Sequence, residues 1–194
     1  MPISLSFLES MDIKLIGSSI YLRPVTVADA AAIVRLRTDP RCDGFLKPTL
    51  PDVGLQELWI ENHLKRATTG REIYFVACSL KDDHVTGAIR ADDITETEFH
   101  WGSWVAKRDE PSGWGLECFL LFMDYFFLRR GLQRCHFEVR KGNDGSIRFH
   151  PKTGAEVSGE NEIEFLYTNT RQDYRRCRTR YLNVLAPNPE FWPG

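Results

Sequence analysis

Long hydrophobic runs and a surplus of either charge are both missing from this sequence of 194 residues. No stretch approaches the roughly 18 consecutive apolar residues that a membrane-spanning helix needs, so no such helix is predicted. The 25 Lys and Arg residues nearly balance the 27 Asp and Glu residues. The whole molecule therefore lacks a strong field for nucleic acid or an anionic membrane, and we expect neither as a partner. Any site for an anion must be local.

Paired cysteines are also missing. The five cysteines are odd in number and include no C-x-x-C pair, which argues against a disulfide framework and against a zinc site. Residues 1–19 lack the basic start and unbroken apolar core of a secretion signal. These absences lead us to expect a cytoplasmic protein with no bound metal.

What is present is the composition of a globular chain. Hydrophobic residues make up 42% and charged residues 27%, which excludes a disordered or fibrous protein. A chain of this length buries roughly 70% of its unfolded surface and needs no disulfide or metal to fold. We predict one domain over residues 20–182, preceded by an extension, 1–19, and followed by an irregular tail, 183–194.

Hydrophobic periodicity divides the chain into strand-like and helix-like segments. Residues 73–78, 84–94 and 97–106 are rich in β-branched and aromatic residues and predict three antiparallel strands joined by short turns. Further strands are predicted at residues 20–24, 134–139 and 163–168. Helices are predicted at residues 26–37, 55–70, 116–130, 143–153 and 171–180. This order predicts an α/β fold of the α+β type, with helices packed on a sheet.

A glycine-bearing loop, residues 110–115, lies between a predicted strand and the buried helix that follows. Gly113 and Gly115 allow a ligand to approach the backbone closely, and N–H groups at a helix N-terminus can converge on phosphate oxygens. A tight turn with no ligand is the alternative interpretation. Because no Walker, dinucleotide-binding, H-E-x-x-H or G-x-S-x-G motif occurs, nucleotide hydrolysis and hydride transfer lose support.

A second informative segment, residues 143–154, runs from an Asn-containing turn through a short helix to a glycine. Together with Ile20–Pro24, the following Asp29 and the 110–115 loop, it resembles the GNAT superfamily of acetyl-CoA-dependent N-acetyltransferases over roughly residues 20–182. The resemblance implies a mixed sheet of about six to seven strands, flanked by about four to five helices. It also implies that the sheet is splayed between the fourth and fifth predicted strands, with acetyl-CoA in the gap.

The resemblance implies how acetyl-CoA would be held. The pyrophosphate would lie on main-chain amides of the loop, while Val105 would offer main-chain groups to the pantetheine arm and Asn143 would reach a pantetheine amide. Glu110 stands where the family usually has Gln or Arg, so either Glu110 points outward or Lys107 and Arg108 compensate for its charge. The implied cofactor-binding residues are Val105, Lys107, Ser112, Gly113, Trp114, Gly115, Leu116 and Asn143.

Catalysis in the superfamily is direct attack of an amine on the thioester. A lysine-like amine has a pKa of about 10.4, so a base or a desolvated pocket must remove its proton. The resemblance suggests Glu138 or His100 as that base, since relatives place a catalytic carboxylate at the corresponding positions. The alternatives are a salt bridge at a strand end for Glu138 and a partly buried histidine with one hydrogen bond for His100.

The leaving thiolate gains from a proton donor. His150 lies seven residues after Asn143, where family members commonly use Tyr, and an imidazole N–H can donate there. Ser146 is the second candidate donor, and a simple role for His150 at the helix end is the alternative. Trp101 is a candidate substrate contact, with core packing as its alternative. The arginines of segment 171–180 could receive a diphosphate, although an exposed helical face explains them equally well.

The sequence leaves the small-molecule amine acceptor open between two branches. His100 to Gly102 and the preceding strands look like acetyltransferases that act on nucleotide-linked amino sugars of surface polysaccharide synthesis. The start at Ile20–Pro24 with Asp29 looks like enzymes that acetylate ribosomal-protein N-termini. We favour the sugar, whose amine is less basic than lysine. A third hypothesis is an acyl-CoA-binding module without turnover, suggested by Glu110 and His150. Relatives commonly form homodimers through edge strands, and that option stays open.

Overall fold

A computed structural model describes residues 13–41, 45–107, 111 and 113–181. Within them, eight strands form one sheet in the order β1-β2-β3-β4-β5-β6-β8-β7. Every neighbouring pair is antiparallel except β5 and β6, which are parallel. The strands are β1 (Leu15–Ile16), β2 (Ile20–Pro24), β3 (Ile73–Ser79), β4 (Val85–Asp92), β5 (Glu98–Ala106), β6 (Arg134–Arg140), β7 (Glu156–Glu160) and β8 (Glu164–Thr170).

Helices pack on both faces of this sheet. They are α1 (Ala30–Arg37), α2 (Val53–Ala67), α3 (Trp114–Asp124), α4 (Asp144–Phe149) and α5 (Arg171–Arg178). A wider turn, Tyr125–Arg129, extends α3, and tight 3-10 turns precede α1 and follow α4 and α5. None of the helices in the described part of the chain is long and apolar enough to cross a membrane.

The sheet separates two hydrophobic clusters. Phe75 of β3 points to the cluster around α3, whereas the next residue, Val76, points to the cluster around α1 and α2. Because helices cover both of its faces, β3 is buried at every position. The aromatic residues of α3 fill the larger cluster, where the ring of Phe126 stacks on that of Phe99 with 4.3 Å between centroids. The predicted burial of this helix is confirmed.

An ion pair joins the first elements of the domain, and both of its residues belong to segments that carried the family resemblance. Arg23 at the end of β2 contacts both carboxylate oxygens of Asp29, at 2.7 and 2.8 Å. Asp29 also accepts a hydrogen bond from the backbone N–H of Thr26, which closes a capping box at the first helical turn. Burial alone would raise the pKa of Asp29, but these bonds hold it below its ordinary value. This pair joins β2 to α1.

The predicted mixed sheet and its splay are confirmed, whereas the strand count is eight in the described residues rather than six or seven. The two strands that were not predicted are β1, only two residues long, and β7, whose sequence Glu-Val-Ser-Gly-Glu is almost entirely exposed. Neither carries the alternation that marks a half-buried strand. Leu15 of β1 is nevertheless fully buried and pairs with Leu22, so the sheet begins before the first predicted strand.

The splay lies between β5 and β6, which correspond to the fourth and fifth predicted strands. These strands pair only over Glu98 to His100 and Arg134 to His136. Beyond these residues the two strands have no further pairing, and the sheet opens. Gly113 and the start of α3 follow β5, whereas Asn143 and α4 follow β6. Two of the segments that carried the family resemblance therefore lie next to the opening.

Candidate active site

A β-bulge in β5 gives the opening its shape. Ala88 pairs with Val105 and Arg90 pairs with Gly102, so two residues of β5 face the single residue Ile89. One of the two, Ser103, has a φ of 52°, in the left-handed region. A bulge of this kind bends a strand and disrupts its ladder locally. The residues after the bulge, beginning with Trp104, line the cavity that opens between β5 and β6.

We call this opening the splay cavity. Its volume is about 350 Å³, which is in the range of small-molecule sites. It brings together residues from β5, from the glycine loop and from the Asn143 turn, which are far apart in sequence. The lining residues are Phe45, Leu46, Trp104, Val105, Ala106, Lys107, Pro111, Gly113, Gly115, Asn143 and Ser146.

The glycine loop is suited to close approach by a ligand. Gly113 has a φ of 105°, and a Cβ placed on it would meet nothing within 4 Å, so the space above this residue is open. Trp114 turns its ring toward His84, and Leu116 packs against the core, so neither side chain lines the cavity. Ser112, like Arg108 and Glu110, lies outside the described residues.

Asn143 begins α4 at the other side of the splay cavity. Its side-chain oxygen accepts a hydrogen bond from the backbone N–H of Ser146 at 3.2 Å, which caps the helix. Asn143 and Ser146 both line the cavity. The predicted pantetheine contact and one predicted proton donor are thus brought together across from Val105, although no ligand defines their roles.

The two candidate bases are also brought together. His100 lies on β5 and Glu138 on β6, and His100 Nε2 lies 2.9 Å from Glu138 Oε2. The other ring nitrogen, Nδ1, lies 2.6 Å from Asp92 Oδ1 on β4. We call Asp92, His100 and Glu138 the acid–histidine trio. Asp92 pairs with His100 in the β4–β5 register. Sequence reasoning did not identify it as a site residue because strand pairing, rather than a local motif, brings it to His100.

The hydrogen bonds within the trio shift the pKa values of all three side chains. The hydrogen bonds to Asp92 and then to Glu138 raise the pKa of His100 to about 9. Burial alone would raise the pKa of Asp92, but the hydrogen bond from His100 and the charge of Arg90 lower it. The hydrogen bond from His100 also lowers the pKa of Glu138. At neutral pH the trio therefore consists of an imidazolium between two carboxylates. His100 can accept a proton only after it has released the one it holds.

A second cavity lies on the other side of the bulge. We call it the cationic cavity, because four of its side chains are positively charged and one is negatively charged. Its volume is about 380 Å³. Its lining residues are Arg37, Lys47, Pro48, Thr49, Leu50, Asp52, Leu55, Gln56, Trp59, Arg66, Tyr74, Arg90 and Ser103.

Three features connect the cationic cavity to the trio and to the splay cavity. Arg90 lines it and is ion-paired with Asp92. Ser103 of the bulge lines it, while the following residue, Trp104, lines the splay cavity. In the segment 45–50, Phe45 and Leu46 line the splay cavity, and residues 47–50 line the cationic cavity. The two cavities therefore share walls on either side of β5.

His150, the first predicted proton donor, has a different setting. Only 2% of this residue is exposed, and burial lowers its pKa to about 3, so the imidazole is neutral at physiological pH. Its Nδ1 has no hydrogen-bond partner. Ring centroids between 4.5 and 6.2 Å away belong to Trp101, Trp104, Phe119, Phe137, Phe149 and Tyr167. His150 does not line the splay cavity, so its placement does not support proton donation.

Trp101, the predicted substrate contact, lies in the same aromatic cluster and is 3% exposed. Its position at 4.6 Å from the Phe137 ring supports the packing alternative. The arginines of α5 contribute to neither cavity. Arg178 instead binds Asp124 of α3 at 2.6 and 2.8 Å. Within the residues that the structure describes, no group of three or more His, Cys, Asp or Glu side chains is arranged to hold a metal ion.

The candidate surface that sequence reasoning missed is the cationic cavity. Its charged residues come from α1, the 45–50 segment, α2 and β4. No local motif connects them, because they meet only when the helices pack on the sheet. The one signal was the cluster of exposed hydrophobic residues in segment 45–59, which includes Leu50, Leu55 and Trp59.

Comparison with known proteins agrees with this architecture: the chain belongs to the GNAT acetyltransferase family. The family model described as an acetyltransferase (GNAT) domain matches residues 19–156. The resemblance stated from the sequence motifs is thus confirmed, and with it the class of the protein, an acyltransferase. Among curated proteins, none matches this sequence significantly.

Solved structures refine the comparison. The apo structure of FdhC, described as a nucleotide-linked sugar GNAT, is 30% identical, with a TM-score of 0.81 over 90% of this chain and 99% of that one. Mycobacterium smegmatis RimJ in complex with CoA-disulfide is 20% identical, with a TM-score of 0.69 over 87% and 93% of the two chains. The ribosomal-protein-S5-alanine acetyltransferase of Vibrio fischeri is 17% identical, with a TM-score of 0.67 over 84% and 99%. The last two share the fold alone.

Proposed function

We propose that this protein transfers the acetyl group of acetyl-CoA to the primary amine of a nucleotide-linked amino sugar. The amine nitrogen attacks the thioester carbonyl carbon, an N–C bond forms and the C–S bond breaks. Coenzyme A leaves as the thiol, and the proton of the amine passes to the protein. The observation that carries the proposal is the cationic cavity. Its lining residue Arg90 is ion-paired with Asp92 of the acid–histidine trio, and the splay cavity lies on the other side of β5.

The splay cavity is the proposed site of acetyl-CoA. Its volume, the open space at Gly113 and the main chain of Val105 after the bulge fit a pantetheine arm that enters between β5 and β6. The amides of Ser112 to Leu116 would receive the pyrophosphate, with Lys107 nearby on the cavity wall. Asn143 would reach a pantetheine amide, and Ser146, which also lines the cavity, would donate a proton to the leaving thiolate.

The trio is the proposed proton acceptor. With a pKa of about 9, His100 is basic enough to take a proton from a sugar ammonium once its own proton has moved to solvent. The carboxylates of Asp92 and Glu138 hold the ring on both nitrogens and stabilise the imidazolium that forms. His100 and Glu138 therefore act as one unit, rather than as the two competing bases that the sequence suggested.

The charge of the cationic cavity supports an anionic acceptor. Such a cavity repels polyamines and the basic segments common in ribosomal proteins, and it attracts phosphate. The 30% identity to a nucleotide-linked sugar GNAT over most of both chains supports the same class of acceptor. The motif shared with ribosomal-protein acetyltransferases, Arg23 with Asp29, forms an ion pair inside this fold and lines neither cavity.

The test is acetylation of two substrate panels with acetyl-CoA, followed by mass spectrometry. One panel contains UDP- and dTDP-linked amino sugars, and the other contains N-terminal peptides of ribosomal proteins. We expect activity on the sugar panel, reduced in His100→Gln and Glu138→Gln. Activity on peptides alone would refute the sugar acceptor. Calorimetry with acetyl-CoA tests the inactive-module hypothesis, because an enzyme of this class binds it and a module without a site releases no heat.

A further inference from the structure

The positive charges of the cationic cavity are not equally neutralised. Arg66 lies 2.7 Å from Glu72, and Arg90 is paired with Asp92 and lies 3.8 Å from Glu72. These two arginines therefore share two carboxylates and contribute little net charge. The attraction of the cavity for an anion must come from its other two cations, Arg37 and Lys47, which outnumber the one lining carboxylate, Asp52.

Arg37 is held in place without a carboxylate. Its Nε donates to the hydroxyl of Thr49 at 2.6 Å, and its Nη2 donates to the carbonyl oxygen of Lys47 at 2.9 Å. In the ranges that the structure covers, neither Arg37 nor Lys47 forms a salt bridge. A guanidinium fixed by neutral partners keeps its charge and its remaining N–H donors for a ligand.

Lys47 lies between this cavity and the trio. The hydrogen bond from His100 is the main cause of the lowered pKa of Glu138, and the charge of Lys47 adds to it, so the ammonium acts across the space between them. An anion bound at Arg37 and Lys47 would therefore be near the reacting amine without occupying its place at His100.

Part of the cavity wall is apolar. Leu50, Leu55 and Trp59 line it and are 67%, 49% and 37% exposed, unusually high values for large hydrophobic side chains. The Trp59 ring is fixed by stacking on His63, with 5.6 Å between centroids and 3° between planes. We call these three residues the apolar wall. A flat aromatic ligand group would cover it.

From this arrangement we infer that the cationic cavity binds a nucleoside diphosphate, with Arg37 and Lys47 on the diphosphate and the nucleobase against the apolar wall. The inference rests on the proposed function and assigns the residues of its acceptor site. It replaces the arginines of α5 as the expected receptor for the diphosphate.

Equilibrium binding of UDP and dTDP, measured by calorimetry, tests the diphosphate contacts. Arg37→Met and Lys47→Met should each weaken binding about 10- to 100-fold, as expected for loss of a hydrogen bond between charged groups. Arg35→Met, which removes an exposed arginine from the same helix α1, should bind like the wild type. Acetyl-CoA binding should be unchanged in all three, which controls for folding.

A second pair of variants tests the apolar wall. Trp59→Leu should weaken UDP about tenfold, as for loss of base stacking, and should leave inorganic pyrophosphate binding unchanged. Leu58→Ala removes an exposed residue of the same helix that does not line the cavity and should change neither. Equal loss of both ligands in Trp59→Leu would overturn the assignment of the wall to the base.

The failures can be distinguished. If the wild type acetylates nucleotide-linked sugars while Arg37→Met and Lys47→Met bind UDP and dTDP normally, the inference is overturned and the proposed function stands. If the wild type acetylates only peptides and binds neither diphosphate, the inference and the sugar acceptor both fail. If it binds UDP with the expected variant effects but transfers no acetyl group, the site stands and the catalytic proposal fails.

Discussion

At the scale of single residues, Asp92 controls the protonation of His100. The hydrogen bond to Asp92 is the largest cause of the rise in the pKa of His100 to about 9, ahead of that to Glu138. Because the folded-state pKa lies above the ordinary value of about 6.5, the proton on His100 stabilises the fold fully below pH 6.5, as long as Asp92 and Glu138 are ionised. That contribution is lost as the pH rises through about 9. The same group therefore links stability and catalysis to pH in opposite directions.

Replacing Asp92 with Asn should separate these effects. Asparagine keeps a hydrogen-bond acceptor for His100 Nδ1 but removes the charge that raises its pKa. We expect kcat/KM of the wild type to rise with pH toward about 9, the pKa of His100, and the inflection in Asp92→Asn to shift to lower pH. The measurement is a pH–rate profile at saturating acetyl-CoA. The titration of the sugar amine itself is common to all variants and cancels in the comparison.

Asp93→Asn is the matched control, because Asp93 is the exposed neighbour and its carboxylate forms no bond to His100. It should keep the wild-type profile. An unchanged inflection in Asp92→Asn would show that His100 is not the titrating base.

His150 should act on stability rather than on turnover. Burial holds its folded-state pKa at about 3, so between this value and pH 6.5 the unfolded chain binds a proton that the folded chain does not. The free energy of unfolding therefore falls as the pH falls, by about 2 kcal/mol between pH 6.5 and pH 5. His150→Phe should remove this part of the acid destabilisation. Urea unfolding of both proteins at pH 6.5 and pH 5 measures it, and an equal drop in both would contradict the assignment.

Proton donation to the leaving thiolate can be assigned with two variants. Ser146 lines the splay cavity, whereas His150 is buried behind it. We expect Ser146→Ala to lower kcat, by up to about 100-fold if proton transfer limits the rate, and His150→Phe to retain most of the wild-type kcat. The reverse order, measured in single-turnover experiments with acetyl-CoA, would restore the donor role that the sequence suggested for His150.

At the scale of elements, the junction between α4 and α5 depends on one glycine. Gly154 has a φ of 92°, and a Cβ there would lie 2.7 Å from the backbone carbonyl of Asp173 in α5. Gly154→Ala combines left-handed strain with a clash against backbone, so we expect a loss of about 3 kcal/mol in the free energy of unfolding. Gly142→Ala has a similar φ of 89° but open space.

Comparison of the two alanine variants by chemical denaturation separates strain from overlap. Gly142→Ala should lose only about 1 kcal/mol, the cost of the left-handed conformation. Equal losses in the two variants would mean that the contact between α4 and α5 adjusts without cost.

Elements with a strong hydrophobic period could be predicted from the sequence. Helix α3 and strands β3 to β6 were predicted, and so was the glycine that ends the α4 segment. Strand β7 could not be predicted because it is an edge strand with almost no buried side chain. The bulge at Ser103 could not be predicted either, since it depends on pairing with β4 and leaves no mark in the composition of β5.

The site residues also divide into those that the sequence predicts and those that it does not. Val105, Gly113 and Asn143 lie beside one another at the splay because each follows a predictable element. Asp92 and Arg37 reach the site through strand register and helix packing, which one sequence does not reveal. The motif with Arg23 and Asp29 pointed to one branch of acceptors, although here the two residues join two elements.

At the scale of the whole molecule, ligand binding should be visible as stabilisation. A ligand that binds only the folded chain at about 100 times its Kd adds about 2.7 kcal/mol to the free energy of unfolding. For a protein of this size the melting temperature should then rise by about 5 to 10 °C. We expect this rise with acetyl-CoA in a thermal-shift assay. S-acetylpantetheine, which lacks the nucleotide, should give a smaller rise at equal concentration, and equal rises would argue against loop contacts to the pyrophosphate.

The segment 45–50 forms part of the wall of both cavities, so both substrates would contact the same stretch of backbone. A ligand that fixes the segment from one side spares the other ligand part of the entropy of ordering it. Acetyl-CoA and the acceptor should therefore bind with positive cooperativity, each tightening the other by the same factor. A single compound that joins coenzyme A to a nucleotide sugar through the acetyl carbon would exploit that coupling as a bisubstrate inhibitor.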